Sequence, residues 1–396
     1  MMTHSEGIRE WTVIGAGPHG VHLTACLAER GLASSELLLL DRYSEPLELW
    51  NRRTSRLEMG FLRSSAVHHL GPCPWSLVEF AQRRFGHPRN WSAPPYQRPA
   101  YEVFQEHCEF VMAKFGIREV FLQRDVVRIR RDRRGVFELT TTDGTLRSRR
   151  VVLALGQAPP RIPFWAEDHP RVQHLLSRNW REVDGRVAVV GGGMTACQFS
   201  LANHHRFDKT ILVAPSVPTV SDFDADPCWI GPKCRTPDFE NSSVGEKRRV
   251  ITAARRPGSV DQSVFRALKR ALDGSQIEFG TGRVVGLEGK DIFLDSGQRF
   301  EVDQVVLGTG FQAVRPGGEF IDNLIESLVL PTTPCGYPDL SSALEWVEGL
   351  YVTGGLAELR LGPVARNITG ARSAAKIIID HAFETHLAKE KEAVLV

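Results

Sequence analysis

The sequence predicts an α/β fold of two parallel-sheet units, the second inserted into the first. Three observations carry that expectation: a strand, glycine turn and helix near the start, the same order in mid-chain, and two near-duplicate strands that close the units. At about 150 residues per domain, 396 residues leave room for two or three structural units and a substantial core. Hydrophobic residues at 42% and charged residues at 24% are those of an ordinary globular chain. Lys plus Arg number 49 against 47 Asp plus Glu, so the net charge of +2 gives no footprint for nucleic acid or an anionic membrane.

Taken in order, Trp11-Thr12-Val13-Ile14 reads as a buried strand, Gly15-Ala16-Gly17-Pro18-His19-Gly20 as a turn, and Val21 to Arg30 as a helix. The strand Leu37-Leu38-Leu39-Leu40 then ends at Asp41, about 20 residues past the turn, as a dinucleotide fingerprint requires. The order recurs at Val187 to Val190, Gly191-Gly192-Gly193-Met194-Thr195-Ala196, and the strand Ile211 to Ala214. Each unit continues into an alternating meander, Val126 to Arg150 and Ile277 to Asp303, and then into Val151 to Gln157 and Val305 to Phe311 respectively. Gln157 to Pro163 and Thr309 to Gly318 read as the crossings between two Rossmann-like dinucleotide-binding domains. The expected boundaries are 1–160, 161–302 and 303–396, the middle part being the insert. The stretches Asn51 to Pro99 and Val217 to Pro257 lack periodicity and read as long functional loops.

The glycine spacing has a mechanical reason. Gly15 permits the tight turn, Gly17 lets backbone N–H groups approach a pyrophosphate, and Gly20 allows close helix packing. Pro18 and His19 fall inside the same turn, and Asp41 is placed to accept hydrogen bonds from a ribose. In the second motif, Gly191, Gly193 and Thr195 precede Ala196, which stands where the third glycine would be. Its strand ends in Ala214-Pro215-Ser216 without a carboxylate, which favours NADPH and leaves NADH open.

With both motifs, the two closing strands, Leu350 to Gly355 and Gly362 to Asn367, the chain resembles the two-dinucleotide-binding flavoproteins. More narrowly, Gly15 to Gly20, Met59-Gly60-Phe61-Leu62-Arg63 through Pro74 to Leu77, and Arg98 before an aromatic-rich helix are similar to the lysine/ornithine N-monooxygenase family, class B flavin monooxygenase-like enzymes. The resemblance implies FAD in the first unit and NAD(P)H in the insert, with Gly310, Gly355 and Gly362 near the cofactor. It implies reduction of the flavin by NADPH, capture of O2 as a C4a-(hydro)peroxide, and oxygenation of a small substrate, an amine or amino-acid derivative by kinship. Arg63 stands where the family carries a substrate-touching lysine, and Gly60 follows Met59 where the family carries glutamine. A planar fork at Arg63 predicts an acidic or zwitterionic substrate. Arg63, His68 and His69 are the catalytic candidates, with salt-bridge or capping use as the competing reading. A flavin reductase serving a separate acceptor, and a flavin-binding protein with a decayed nicotinamide site, remain the alternative functions.

Other features carry less. The pairs His68-His69 and His204-His205 point in different directions, and Asp222 to Asp226 lacks calcium-loop spacing, so no metal is expected. Seven cysteines include no Cys-x-x-Cys, and Cys228 and Cys234 read as idle thiols rather than a redox pair. The polar start Met1 to Glu6 and the lack of any apolar run near 18 residues predict a cytoplasmic protein.

Overall fold

A computed structural model describes residues 7–394; Met1 to Glu6 lie outside them. The strand Ile8–Ile14 is buried from Trp11 onward and pairs in parallel with Leu37–Asp41 on one side and Gly144–Leu153 on the other. Strands covered on both faces read as continuous apolar runs, which is why Leu37 to Leu40 and Val151 to Leu153 are all within 3% of full burial. Leu350–Val352 and Phe121–Gln123 extend this sheet, while Val126–Arg131 and Phe137–Thr141 form its antiparallel meander. The helix Pro18–Glu29 packs on the C-terminal helix Ile368–Val394 against it.

The second sheet is wholly parallel, in the order Glu278–Thr281, Lys209–Ala214, Arg186–Val190, Gln304–Leu307, Val172–His174. Its meander is the three-stranded ribbon Val284–Glu288, Asp291–Leu294 and Arg299–Glu301. Gln304–Leu307 therefore hydrogen-bonds inside the second sheet, although a boundary at 303 assigned it to the first unit. A buried parallel strand needs two neighbours, and Arg186–Val190 and Val172–His174 supply them. The crossings then run side by side, with Arg161 N donating to Gly310 O and Gln312 N to Pro159 O.

The two aperiodic stretches are more ordered than their sequence suggests. The first begins inside the helix Glu48–Ser55 and contains Ser76–Phe85, and the second contains Val244–Ala254. Ser243 accepts from Glu246 N at the start of the last, a Ser-x-x-Glu signal present in the sequence and overlooked. The disulfide Cys228–Cys234 corrects the reading of idle thiols: chain reversal through Trp229 and Pro232 brings the two sulfurs into bonding contact.

Arginines from the first stretch dock on the second unit. Arg53 donates to Leu176 O, and Arg56 to Leu175 O and Ser177 O. Arg98 Nη1 lies 3.0 Å from Asp261 Oδ2, and each side chain is only 3% exposed. Burial alone would raise the Asp261 pKa, but the Ser263 hydroxyl, the Val264 N–H and Arg98 together hold it below the usual carboxylate range. Asp261 also caps the helix Gln262–Asp273. Removing one partner of such a pair strands a buried charge, so Arg98→Met should cost about 3–5 kcal/mol, read from the urea midpoint. A loss below about 1 kcal/mol would show that the pair does not hold the units together.

Candidate functional site

The two glycine turns are built alike. Gly15 (φ +107°) and Gly191 (φ +145°) occupy backbone conformations closed to other residues, and a Cβ on either would strike the end of the neighbouring strand, at Ala154 O or Gly308 O. The third positions differ in what they meet. In the first unit a Cβ on Gly20 would strike Gly15 O, within the turn itself; in the second the helix carries Ala196 and the strand end Gly308, where a Cβ would stand 2.6 Å from that of Ala196. Gly17 and Gly193 are the residues before the helices Pro18–Glu29 and Met194–Asn203, and neither gives a side-chain cap. A Cβ on either would meet nothing within 4 Å. An uncapped helix N-terminus with open space before it is a ready cradle for phosphate.

Both turns open on one cavity of about 1280 Å³. Gly15, Gly17, Pro18, His19 and Asp41 line one part, and Met194, Thr195 and Gln198 another. Asp41 Oδ2 accepts from Ala16 N at 2.6 Å and Oδ1 from Tyr43 N at 3.3 Å, which fixes the carboxylate on the wall. Gly191, Gly193, Gly20 and Ala196 are not themselves among the lining residues. Gly310, Gly355 and Gly362, read as near the cofactor, are likewise not among the lining residues. A Cβ on Gly355 would stand 2.7 Å from Pro316, and one on Gly362 would strike the Trp229 ring, so both glycines serve packing.

The catalytic candidates separate. Arg63 lines the cavity, but its guanidinium is turned away to Ser221 O, Asp222 O, Phe223 O and Ser259. With those donors engaged, it is not the free substrate fork that the sequence suggested. His69 is buried off the cavity, with Nε2 against Pro74 O and Nδ1 accepting from Gly71 N; its catalytic reading gives way to a structural one. His68 lines the cavity, and burial followed by the Arg372 charge lowers its pKa to about 4. The loop 222–226 contributes Phe223, Asp224 and Ala225 to the wall, with Asn367 donating to Asp224. Arg366 is on the wall too, but its guanidinium pairs with the buried Glu358, which Arg248 and Arg255 also hold. Among the described residues no group of three or more His, Cys, Asp or Glu could hold a metal ion.

Five buried polar atoms of the cavity-lining residues lack hydrogen-bond partners among the described residues: His19 Nε2, Tyr43 OH, Trp50 Nε1, Gln157 Oε1 and His174 Nε2. Orphaned groups are costly in a packed interior, and their gathering around one cavity fits a large polar ligand that would satisfy them. His174 was missed by sequence reasoning, since one histidine at a strand end carries no periodic or spacing signal. Its Nδ1 accepts from Leu176 N, so the neutral ring holds its proton on Nε2. Tyr43 and Trp50 lay in view beside Asp41, while Gln157 belongs to a segment already read as the crossing.

The comparisons with known proteins agree with this architecture. The family model described as pyridine nucleotide-disulphide oxidoreductase matches residues 93–375, and that described as FAD-NAD(P)-binding matches residues 12–158. The probable indole-3-pyruvate monooxygenase YUCCA4 of Arabidopsis thaliana is 31% identical over 196 residues, 48% of this chain and 43% of that protein. The chain thus matches less than half the length of that curated relative. Among solved structures, the ornithine N-hydroxylase of Kutzneria sp. 744 has a TM-score of 0.76 at 20% identity, covering 96% of this chain and 100% of its own. The L-lysine 6-monooxygenase of Pseudomonas syringae has 0.70 at 18%, covering 94% and 98%. The bacillithiol disulfide reductase of Staphylococcus aureus has 0.63 at 14%, covering 96% and 99%. At these identities the structures show the shared fold.

Two predictions follow from the wall. Gly17→Val should fold within about 1 kcal/mol of the parent, because its Cβ meets open space. It should lose roughly 100-fold or more in FAD affinity, about 2.8 kcal/mol, read by flavin fluorescence titration; unchanged affinity would remove Gly17 from the cradle. Burial, the largest cause in each case, holds His19 and His174 at a pKa of about 4, below the ordinary 6.5. Between those values the unfolded chain binds more protons, so stability present above pH 6.5 is lost as pH falls toward 4. At about pH 5 each histidine should cost about 2 kcal/mol, and His174→Gln should flatten part of that slope in urea unfolding.

Proposed function

Because the chain belongs to the pyridine nucleotide-disulphide oxidoreductase family, we propose that it is an FAD-dependent, NADPH-using oxidoreductase that oxygenates a small amine. The observation that carries this reading is the single cavity joining both glycine turns and walled by five orphaned polar groups. Two dinucleotides held at those turns would meet within it.

The first turn and the N-terminus of Pro18–Glu29 would hold the FAD pyrophosphate, with Asp41 on the ribose. The second turn and the N-terminus of Met194–Asn203 would hold the pyrophosphate of NADPH. When bound, the flavin supplies hydride acceptance and O2 activation. The chain's own residues orient and enclose. Leu57, Met59, Leu62, Phe223, Ile230 and Phe311 give the cavity an apolar wall that excludes water. Ile368 and Thr369, at the start of the C-terminal helix, bring a helix N-terminus into the wall, where developing negative charge is favoured. His19, His68 and His174 are neutral at pH 7, so they add hydrogen-bonding capacity without fixed charge.

An amine is favoured as substrate by the ornithine and lysine enzymes among the fold neighbours, and by an apolar wall on which Arg63 and Arg366 are already paired. The disulfide reductase neighbour favours a second reading, electron transfer to a separate acceptor. All seven cysteines stand outside the cavity lining, which weighs against a thiol relay at the flavin. No helix among the described residues is long and apolar enough to cross a membrane. We place the protein in the cytoplasm, although a reducing compartment does not favour the Cys228–Cys234 disulfide.

The test is anaerobic flavin reduction by NADPH, followed by exposure to labelled O2 with ornithine, lysine or cadaverine. Incorporation of one labelled oxygen atom into an amine is expected, and stoichiometric hydrogen peroxide with no oxygenated product would favour the reductase. Gly193→Val should keep FAD and slow its reduction by NADPH about tenfold or more. Loss of FAD with normal reduction in any residual holoenzyme would reverse the assignment of the two turns.

A further inference from the structure

After Lys209–Ala214 the chain leaves the second sheet. Thr219–Val220 and Ser259–Val260 pair only with each other, as a two-stranded ribbon. Between them, residues 221–225 turn to the cavity and give it Phe223, Asp224 and Ala225. Strand pairing therefore ties this part of the wall to neither sheet.

A guanidinium from the other unit meets it instead. Arg63 Nη2 donates to Ser221 O at 2.6 Å, to Phe223 O at 2.9 Å and to Ser259 Oγ at 2.9 Å, while Nε donates to Asp222 O at 3.2 Å. Three successive carbonyls thus converge on one cation. Asp224, Asp261 and Asp222 surround it with opposite charge, and Arg256 adds a like one. Without a cation between them, converging carbonyl dipoles repel, and the turn that directs 223–225 inward is left with the Ser221 Oγ bond to Phe223 O and the Arg256 N bond to Asp224 O. A lysine has a compact charge on a flexible stem, and cannot match a planar fork that reaches several acceptors at once.

We propose that Arg63 is a positioning residue that holds the 221–225 wall of the cavity closed, by gathering the carbonyls of Ser221, Asp222 and Phe223 on its guanidinium. It acts through that backbone, not on the substrate. Tyr96, whose ring lies 4.9 Å from that of Phe223, and Asn367, which donates to Asp224, then meet a wall already in place. The role of the wall in catalysis rests on the function proposed above; the clasp is independent of it.

Hydrogen-exchange mass spectrometry on the ligand-free full chain tests the clasp directly. In Arg63→Met the amides of 221–226 and 259–261 should exchange about tenfold faster or more, with Arg63→Lys intermediate and the strands Ile8–Ile14 and Arg186–Val190 unchanged. In the FAD-loaded protein, the hydrogen peroxide released per NADPH oxidised should rise about twofold or more in Arg63→Met and fall back toward the parent in Arg63→Lys. Equal exchange in all three proteins overturns the proposal; a loosened loop with an unchanged peroxide yield upholds the clasp and overturns the role of this wall in catalysis. If NADPH is not oxidised by the parent, the functional reading fails while the exchange data still decide the role of Arg63. Should Arg63→Met not fold, Ser259→Ala removes one acceptor and should raise exchange about threefold in the same segment; no change would count against the clasp.

Discussion

Irregular backbone between two sheets needs hydrogen-bond donors that neither sheet provides, and in this chain arginine supplies them. Arg53 and Arg56 take the carbonyls of 175–177, Arg63 those of 221–223, and Arg372 those of His69, Gly71 and Pro72. A buried carbonyl without a donor costs as much as a lost hydrogen bond, so these loops could not lie against one another without the guanidinium groups. The cavity is the space they leave. Its wall draws on both units and on a ribbon that belongs to neither sheet, and it keeps its shape because charged forks with several donors each span the gaps.

Within that frame the two units build the same turn with different third residues. In the first, a Cβ at Gly20 would strike Gly15 O, so the turn itself requires glycine there. In the second, the helix carries the methyl group of Ala196 against a strand end, Gly308, that has none. The third position of the second glycine motif therefore tolerates alanine because Gly308 has no side chain. The departure from the motif and the glycine of the closing strand have one cause.

The polar atoms left unpaired in the wall explain why burial and chemistry coincide. His19, His68 and His174 are lowered to about 4 chiefly by loss of water, and an uncharged imidazole can face an apolar cavity at modest cost. Glu358 follows the opposite rule. Burial pushes its pKa up, but Arg366, Arg255 and Arg248 hold it below the usual range, so it remains a charged anchor for the arginines at the edge of the cavity. Charge is thus kept where it is paired, and neutral polar groups are left where a ligand would complete them.

Backbone-level features were legible in the sequence by itself, because they depend on local conformation and period. The two strand, turn and helix units, Asp41 at its strand end, both meanders and the crossings all follow from glycine chemistry and runs of buried aliphatic residues. What a side chain does at long range was not legible. Arg63 reads as a substrate fork until folding brings Ser221 to Phe223 within its reach, more than 150 residues away in the chain. His69 reads like His68 until one is buried against Gly71 and Pro74 and the other is left on the cavity. Cys228 and Cys234 read as separate thiols until the chain reverses between them. A donor's partner is set by which carbonyls folding brings near it, and only the tertiary structure decides that.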